Sequence, residues 1–242
     1  TTGTDNTAVG LDALGAATTA INNVAVGKDA LKAMTVGTGN VAVGNSALDA
    51  LTTGTNNVAV GLDALGAATT GIDNTAVGMN ALLVMTVGTG NTSVGKASLD
   101  ALTTGTDNTA IGFGALGAAT TAINNVAVGK DALLVMTVGT GNTAVGNTAM
   151  DALTTGTNNT AVGLDAGGAL TTGIDNTAVG MNALLTATVA TGSVALGRDA
   201  LKLLTTGTNN TAVGFQALQA ATTAINNTAV GKDALLAMTV GT

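Results

Sequence analysis

The chain has 242 residues, with seven Lys or Arg against fourteen acidic residues, all of them Asp, and no Cys, Pro, His, Trp, Tyr or Glu. Those absences remove the imidazole base, the thiolate nucleophile, the disulfide and the His–Cys metal cluster. A net charge of −7 lacks the basic footprint of a nucleic-acid binder, and 46% hydrophobic residues exceed what a disordered acidic tail carries.

No run approaches the roughly 18–20 apolar residues of a membrane span. No secretory signal is visible, and the sequence reads as an excerpt from a longer array. The missing thiols leave the redox compartment open.

From Thr1 onward the chain restates itself every seventeen residues, giving fourteen full repeats and the start of a fifteenth at 239–242, with no insertion. A fixed period of this size marks a solenoid, and it predicts residues 1–242 to be one uninterrupted tandem array. Above it runs a three-repeat cycle, visible at position seventeen as Ala17, Met34, Leu51, Ala68, Met85, Leu102. Gene duplication explains the cycle, and so does interlocking of small and large side chains between successive repeats.

Position one is Thr throughout, and position six is Asn in every repeat except at Ser193. The column Asn6, Asn23, Asn40, Asn57 predicts a ladder of amides bonded to their equivalents above and below. An unpartnered buried amide would cost about 1–3 kcal/mol. The Thr hydroxyls at position one suit the same use.

Positions six to nine, Asn-Thr-Ala-Val in the first repeat, suit a short strand. Alternation then puts Thr7 and Val9 on one face, filling the core, and Ala8 on the other. Ala holds position eight in every copy except Ser93, so Ala8, Ala25, Ala42 and Ala59 are expected to pack closely against another copy of the chain. The invariant Gly10, Gly27, Gly44 and Gly61 are expected to turn the chain.

Positions twelve to seventeen read as one or two helical turns, with Asp12 as N-cap and Ala13, Leu14 and Ala17 facing inward. A second short strand is the alternative. All 21 charged residues sit at positions five, eleven, twelve and fifteen, which must therefore face water. The whole predicts a mainly β, parallel β-roll-like solenoid whose unit is a short strand, a Gly turn and a short helical turn.

The pentads Asn-Thr-Ala-Val-Gly and Asn-Val-Ala-Val-Gly, with Ala195-Leu196-Gly197-Arg198 as a variant, resemble the repeats of trimeric autotransporter adhesin heads. The wider pattern at 160–174 and 211–223 resembles repeats of phage tail-fibre and other surface-fibre proteins. The adhesin resemblance implies a left-handed parallel β-roll, three chains side by side, and a cell-surface location with binding to host or matrix surfaces. The period departs from it, since those head repeats are nearer fourteen residues, and no neck or coiled-coil stalk is present.

Other sites are weak. The Thr pairs suggest ice binding, but position four alternates Thr with Ile and position two Thr with Val, so the array is irregular. Carboxylates never fall in adjacent repeats at position five, so no calcium ladder forms there, and a helix cap explains Asp12 beside Asp29. Gly-Thr-Gly-Asn at 37–40 lacks the Lys-Ser/Thr of a phosphate loop. No position breaks the pattern to supply acid–base chemistry, so no enzyme, metal or cofactor is expected. Position eleven, which carries Phe113 and Phe215, is either an indifferent ridge or a contact stripe.

The expected function is a structural fibre or filament shaft, outside the cell, on its surface or on a virion, assembled from copies of the chain. A ligand-binding adhesin head with a cell-surface or matrix receptor is the alternative, and ice binding the less favoured one. Neither nucleic acid nor a membrane span is expected.

Overall fold

The computed structural model describes residues 2–241 and shows a parallel β-solenoid. It divides into two compact units, residues 2–123 and 124–241, and the seventeen-residue frame continues through the division. In the first unit, strands β1 (Thr7–Val9), β2 (Val24–Val26), β3 (Val41–Val43), β4 (Val58–Val60), β5 (Thr75–Val77), β6 (Thr92–Val94) and β7 (Thr109–Ile111) pair in parallel with their neighbours in sequence. Each is in register with the copy seventeen residues on, Ala8 opposite Ala25 and Ala25 opposite Ala42.

The second unit repeats this with β8 (Val126–Val128), β9 (Thr143–Val145), β10 (Thr160–Val162), β11 (Thr177–Val179), β13 (Val194–Leu196), β15 (Thr211–Val213) and β16 (Thr228–Val230). Positions two to four also run in parallel register. They form isolated bridges such as Ile21 to Thr38, and a further strand pair, β12 (Val189–Thr191) with β14 (Thr206–Thr208).

The expected helical turns are not present: no helix occurs among the described residues. Neighbouring strands lie about 4.8 Å apart, whereas a helix with its side chains is about 10–12 Å across. Helices in successive repeats would therefore collide unless the stack fanned open. A helix of six residues would also orphan most of its own N–H and C=O groups.

Linked tight turns replace it. Ala13 N–H donates to Gly10 O at 3.4 Å, Gly15 to Asp12 O at 3.1 Å and Ala17 to Leu14 O at 3.2 Å. Asp12 and Leu14 have positive φ, 57° and 53°, at the third residue of the first two turns, as in a type II turn. The intervening N–H groups reach the next repeat, Leu14 to Ala30 O at 3.0 Å and Ala16 to Lys32 O at 3.1 Å. Asp12 is thus a turn residue and not a helix cap.

Left-handed backbone costs a non-Gly residue about 1–2 kcal/mol. At position fourteen, burial of Leu offsets that cost, since Leu31, Leu48 and Leu65 are fully enclosed and each such side chain contributes roughly 1.5–3 kcal/mol.

The two faces of the strand are reversed from expectation. Ala25, Ala42 and Ala59 lie in the core at 0% exposure, whereas Val43 and Val60 at position nine point outward. No other chain can reach these alanines, and Ala8 differs only because it lies in the first repeat. The smallness of position eight comes from position thirteen, which faces it across a narrow core. The Ser93 hydroxyl contacts Ser98 Oγ and donates to Ser98 O at 2.9 Å. These are the two positions at which Ser replaces Ala, and they change together in one repeat.

Sizes are matched elsewhere in the core. A Cβ on Gly37 would lie 2.6 Å from Met34 Sδ, and one on Gly54 would lie 2.6 Å from Leu51 Cδ1. Position three is Ala only where the preceding position seventeen is Ala, as in Ala17 and Ala20. In the tenth repeat Gly167 stands where Leu is usual, and Leu170 stands where Ala17, Ala68 and Ala119 occur in equivalent repeats. A Cβ on Gly167 would meet Leu170 Cδ1 at 3.1 Å, so Leu170 occupies the vacated space. The interlocking is thus between positions three residues apart along the chain, both across the boundary of successive repeats and, at Gly167 and Leu170, within one.

The glycines at position ten turn the chain against the next repeat. Gly61 has a φ of 139°, and a Cβ there would sit 2.5 Å from the carbonyl oxygen of Gly78. Backbone cannot yield without breaking the register. Gly61→Ala should therefore destabilise by about 2–4 kcal/mol, read from the midpoint of chemical unfolding. An unchanged midpoint would refute the close-approach account.

Candidate functional site

The most repeated polar feature of the fold is the Asn column at position six. Asn40 Nδ2 donates to Asn23 Oδ1 at 3.0 Å and to Gly54 O at 2.9 Å, while Asn40 N–H donates to the same Asn23 Oδ1 at 2.9 Å. Asn57 repeats this on Asn40, and Asn23 on Asn6. Asn23, Asn40 and Asn57 are fully buried, so every amide group they bring inside finds a partner. At position one the hydroxyl donates to the backbone carbonyl of its equivalent in the next repeat rather than to that residue's hydroxyl, as when Thr52 donates to Thr69 O at 3.0 Å.

Ser193 interrupts the column. Its N–H still donates to Asn176 Oδ1 at 3.1 Å, and Asn210 N–H reaches Ser193 Oγ at 3.4 Å. The shorter side chain makes neither of the amide-to-amide bonds that an Asn would make there.

The surface sorts into three zones. One is charge-free and consists of the outward residues of the strands, positions seven and nine: Thr or Val, then Val, with Ile111 and Leu196 as variants. Val43 and Val60 are 36% exposed, and Ile111 is 40% exposed.

The second, also charge-free, consists of positions two and four, which hold only Thr, Val and Ile. Val36 and Val87 are about half exposed there, and Ile21 and Ile72 about two-fifths. The third is the edge at positions eleven, twelve and fifteen, which carries most of the charge; the remainder is the Asp at position five.

Along that edge Asp29 pairs with Lys32 at 2.9 Å and Lys28 at 3.2 Å, and these cations hold its carboxyl below the usual range. At Asp199 burial pushes the carboxyl up. The hydrogen bond from Asn182 and the pairing with Lys202 at 3.1 Å outweigh it, and the net shift is downward. Asp49 and Asp151 shift the other way: burial first, then the carboxylates of Asp63 and Asp165 in the following repeat, raise them above 3.8.

Phe113 and Phe215 belong to this edge and are covered in part by cations. The Arg198 guanidinium lies 4.4 Å from the Phe215 ring centre, and Lys96 Nζ lies 6.0 Å from that of Phe113. They lie in different units.

Among the described residues no cavity opens and no three metal-ligating side chains gather. No helix is long and apolar enough to cross a membrane. No protein-family model matches the chain, and neither does any curated protein. What the geometry offers is therefore a pair of regular charge-free faces. The alternation of Thr, Val and Ile at positions two and four is irregular in its hydroxyls. The usable signal was that every one of them is β-branched and none is charged.

Ser193→Asn should restore the missing amide bonds and raise stability by about 1 kcal/mol, measured by chemical unfolding. A loss of stability would show that the column is not continuous at that point.

The raised carboxyls fix a pH dependence. The ionised form is disfavoured in the folded chain, so the penalty is fully present above the folded pKa and vanishes below 3.8. Asp49→Asn and Asp151→Asn should raise the melting temperature at neutral pH, and the gain should fade on acidification. A gain equal at all pH values would contradict the titration.

Proposed function

We propose that the chain is a segment of a structural fibre or filament, built by stacking of its repeats and lateral association of identical chains. The observation that carries this is the outward ladder at position nine, Val43, Val60 and Ile111 in one unit and Val162 and Val179 in the other. An uncharged aliphatic row along a protein surface marks an interaction site. A partner that meets such a row evenly has the same period, and a second copy has it by construction.

The contact surface proposed is thus the Val-bearing face of the strands, in place of the enclosed alanines at position eight. The pentad's resemblance to surface-fibre repeats supports placing the fibre outside the cell, on its surface or on a virion.

Sedimentation equilibrium of the chain, and of a variant carrying Val43→Lys and Val60→Lys, tests this. The unsubstituted chain should associate with rising concentration, and the charged pair should weaken that association while circular dichroism stays unchanged. A chain that remains monomeric at every concentration sinks the proposal, as does an undiminished association of the variant.

A further inference from the structure

We propose that the face formed by positions two and four binds ice, a function independent of fibre assembly. The residues of this face are Thr or Val followed by Thr or Ile, separated by an inward Gly or Ala. Position two is exposed in every described repeat, and Val189–Thr191 and Thr206–Thr208 each show the exposed, buried, exposed alternation of a strand with one face in water.

Backbone bonds hold these rows in register, Ile21 N–H to Gly37 O at 2.9 Å and Asn22 N–H to Thr4 O at 3.1 Å. The side chains therefore form a two-dimensional grid within each unit. Its spacings are about 4.8 Å between repeats and about 6.6 Å between alternate residues of a strand, the first of them near the short lattice repeat of hexagonal ice.

The mixture of residues does not spoil the grid. Thr, Val and Ile all branch at Cβ and carry a γ-methyl group, so the methyl lattice is unbroken. Only the hydroxyls are intermittent, and no repeat has an aliphatic residue at both positions. Those hydroxyls are available: position one directs its own to the next repeat, as Thr103 does to Thr120 O at 2.9 Å. The hydroxyls of Thr53, Thr104 and Thr155 make no hydrogen bond among the described residues.

Water beside apolar groups has restricted orientations, and fixed, evenly spaced methyls impose one pattern of restriction on a whole layer. Hydroxyls within that layer bond to it. A charge would instead orient water about itself, and positions two and four hold none. Because the backbone is already ordered by its neighbours, little freedom is lost on adsorption.

The test is thermal hysteresis and inhibition of ice recrystallisation by the full chain. We expect activity well above that of an inert globular protein at equal mass. Combined Thr53→Lys, Thr104→Lys and Thr155→Lys should abolish it with an unchanged melting curve. Combined Thr→Val at those three sites keeps the methyls and should retain most activity, whereas Thr→Ser removes them and should lose most of it. These milder sets decide the matter even if the lysines disturb folding.

Val43→Lys with Val60→Lys, which tests lateral association, should leave hysteresis intact. No hysteresis in the unsubstituted chain, or equal losses from Val43→Lys with Val60→Lys and from the position-two lysines, would overturn the assignment. Failure of association alone would not.

Discussion

The constraint on which everything else rests is that the buried amides of position six find their amide partners one repeat away. The interior is closely packed, and no cavity opens among the described residues. An Asn placed there can be satisfied only by its neighbours, which is what the bonds among Asn23, Asn40 and Asn57 supply. Each Oδ1 accepts both the backbone and the side-chain N–H of the next Asn, and each Nδ2 is shared with a carbonyl of the following turn. A buried amide that lost these partners would leave a desolvated group worth about 1–3 kcal/mol. Register and the identity of position six are therefore the same requirement.

The same spacing decides the second half of each repeat. A rise of about 4.8 Å between repeats admits only backbone that can hydrogen-bond along the stack. Linked turns meet that requirement by pointing alternate N–H groups at the next repeat and closing the others on themselves. Positive φ at Asp12 and Leu14 follows. Asp, Asn and Gly suit the first of these positions by their own conformational preferences. Leu at the second is held there by enclosure.

Much of this was legible in the sequence. The period, the strand, the turning glycines, the Asn column and the exile of charge all follow from comparing repeats. Two inferences failed, the helical turns and the facing of the strand. Spacing of charges three or four apart is shared by a helix and by a chain of turns, and only the rise per repeat separates them.

The expected facing of Ala8 outward and Val9 inward failed for a different reason. Burial is usually argued from size, but a narrow core selects the smallest residue for its centre and sends valine outward. The joint change to Ser93 and Ser98 records that contact in the sequence, as does the exchange of bulk between Gly167 and Leu170. Read as pairs, the exceptions to the repeat identify its packing better than the rule does.

The outer surface is sorted by residue type. Val at position nine is retained even though it lies in water, with only Ile111 and Leu196 as exceptions. Burial within one chain cannot account for that retention, because an outward position tolerates polar residues at little cost, as position eleven shows by carrying Leu, Lys, Asn, Met, Phe and Arg. Positions two and four are equally restricted and equally exposed. Strand formation alone favours β-branched residues, but it admits charged ones on a wet face, and none occurs among these rows. Two exposed faces held to a narrow residue alphabet, beside an edge that varies freely, are what surfaces with extended and regular partners require.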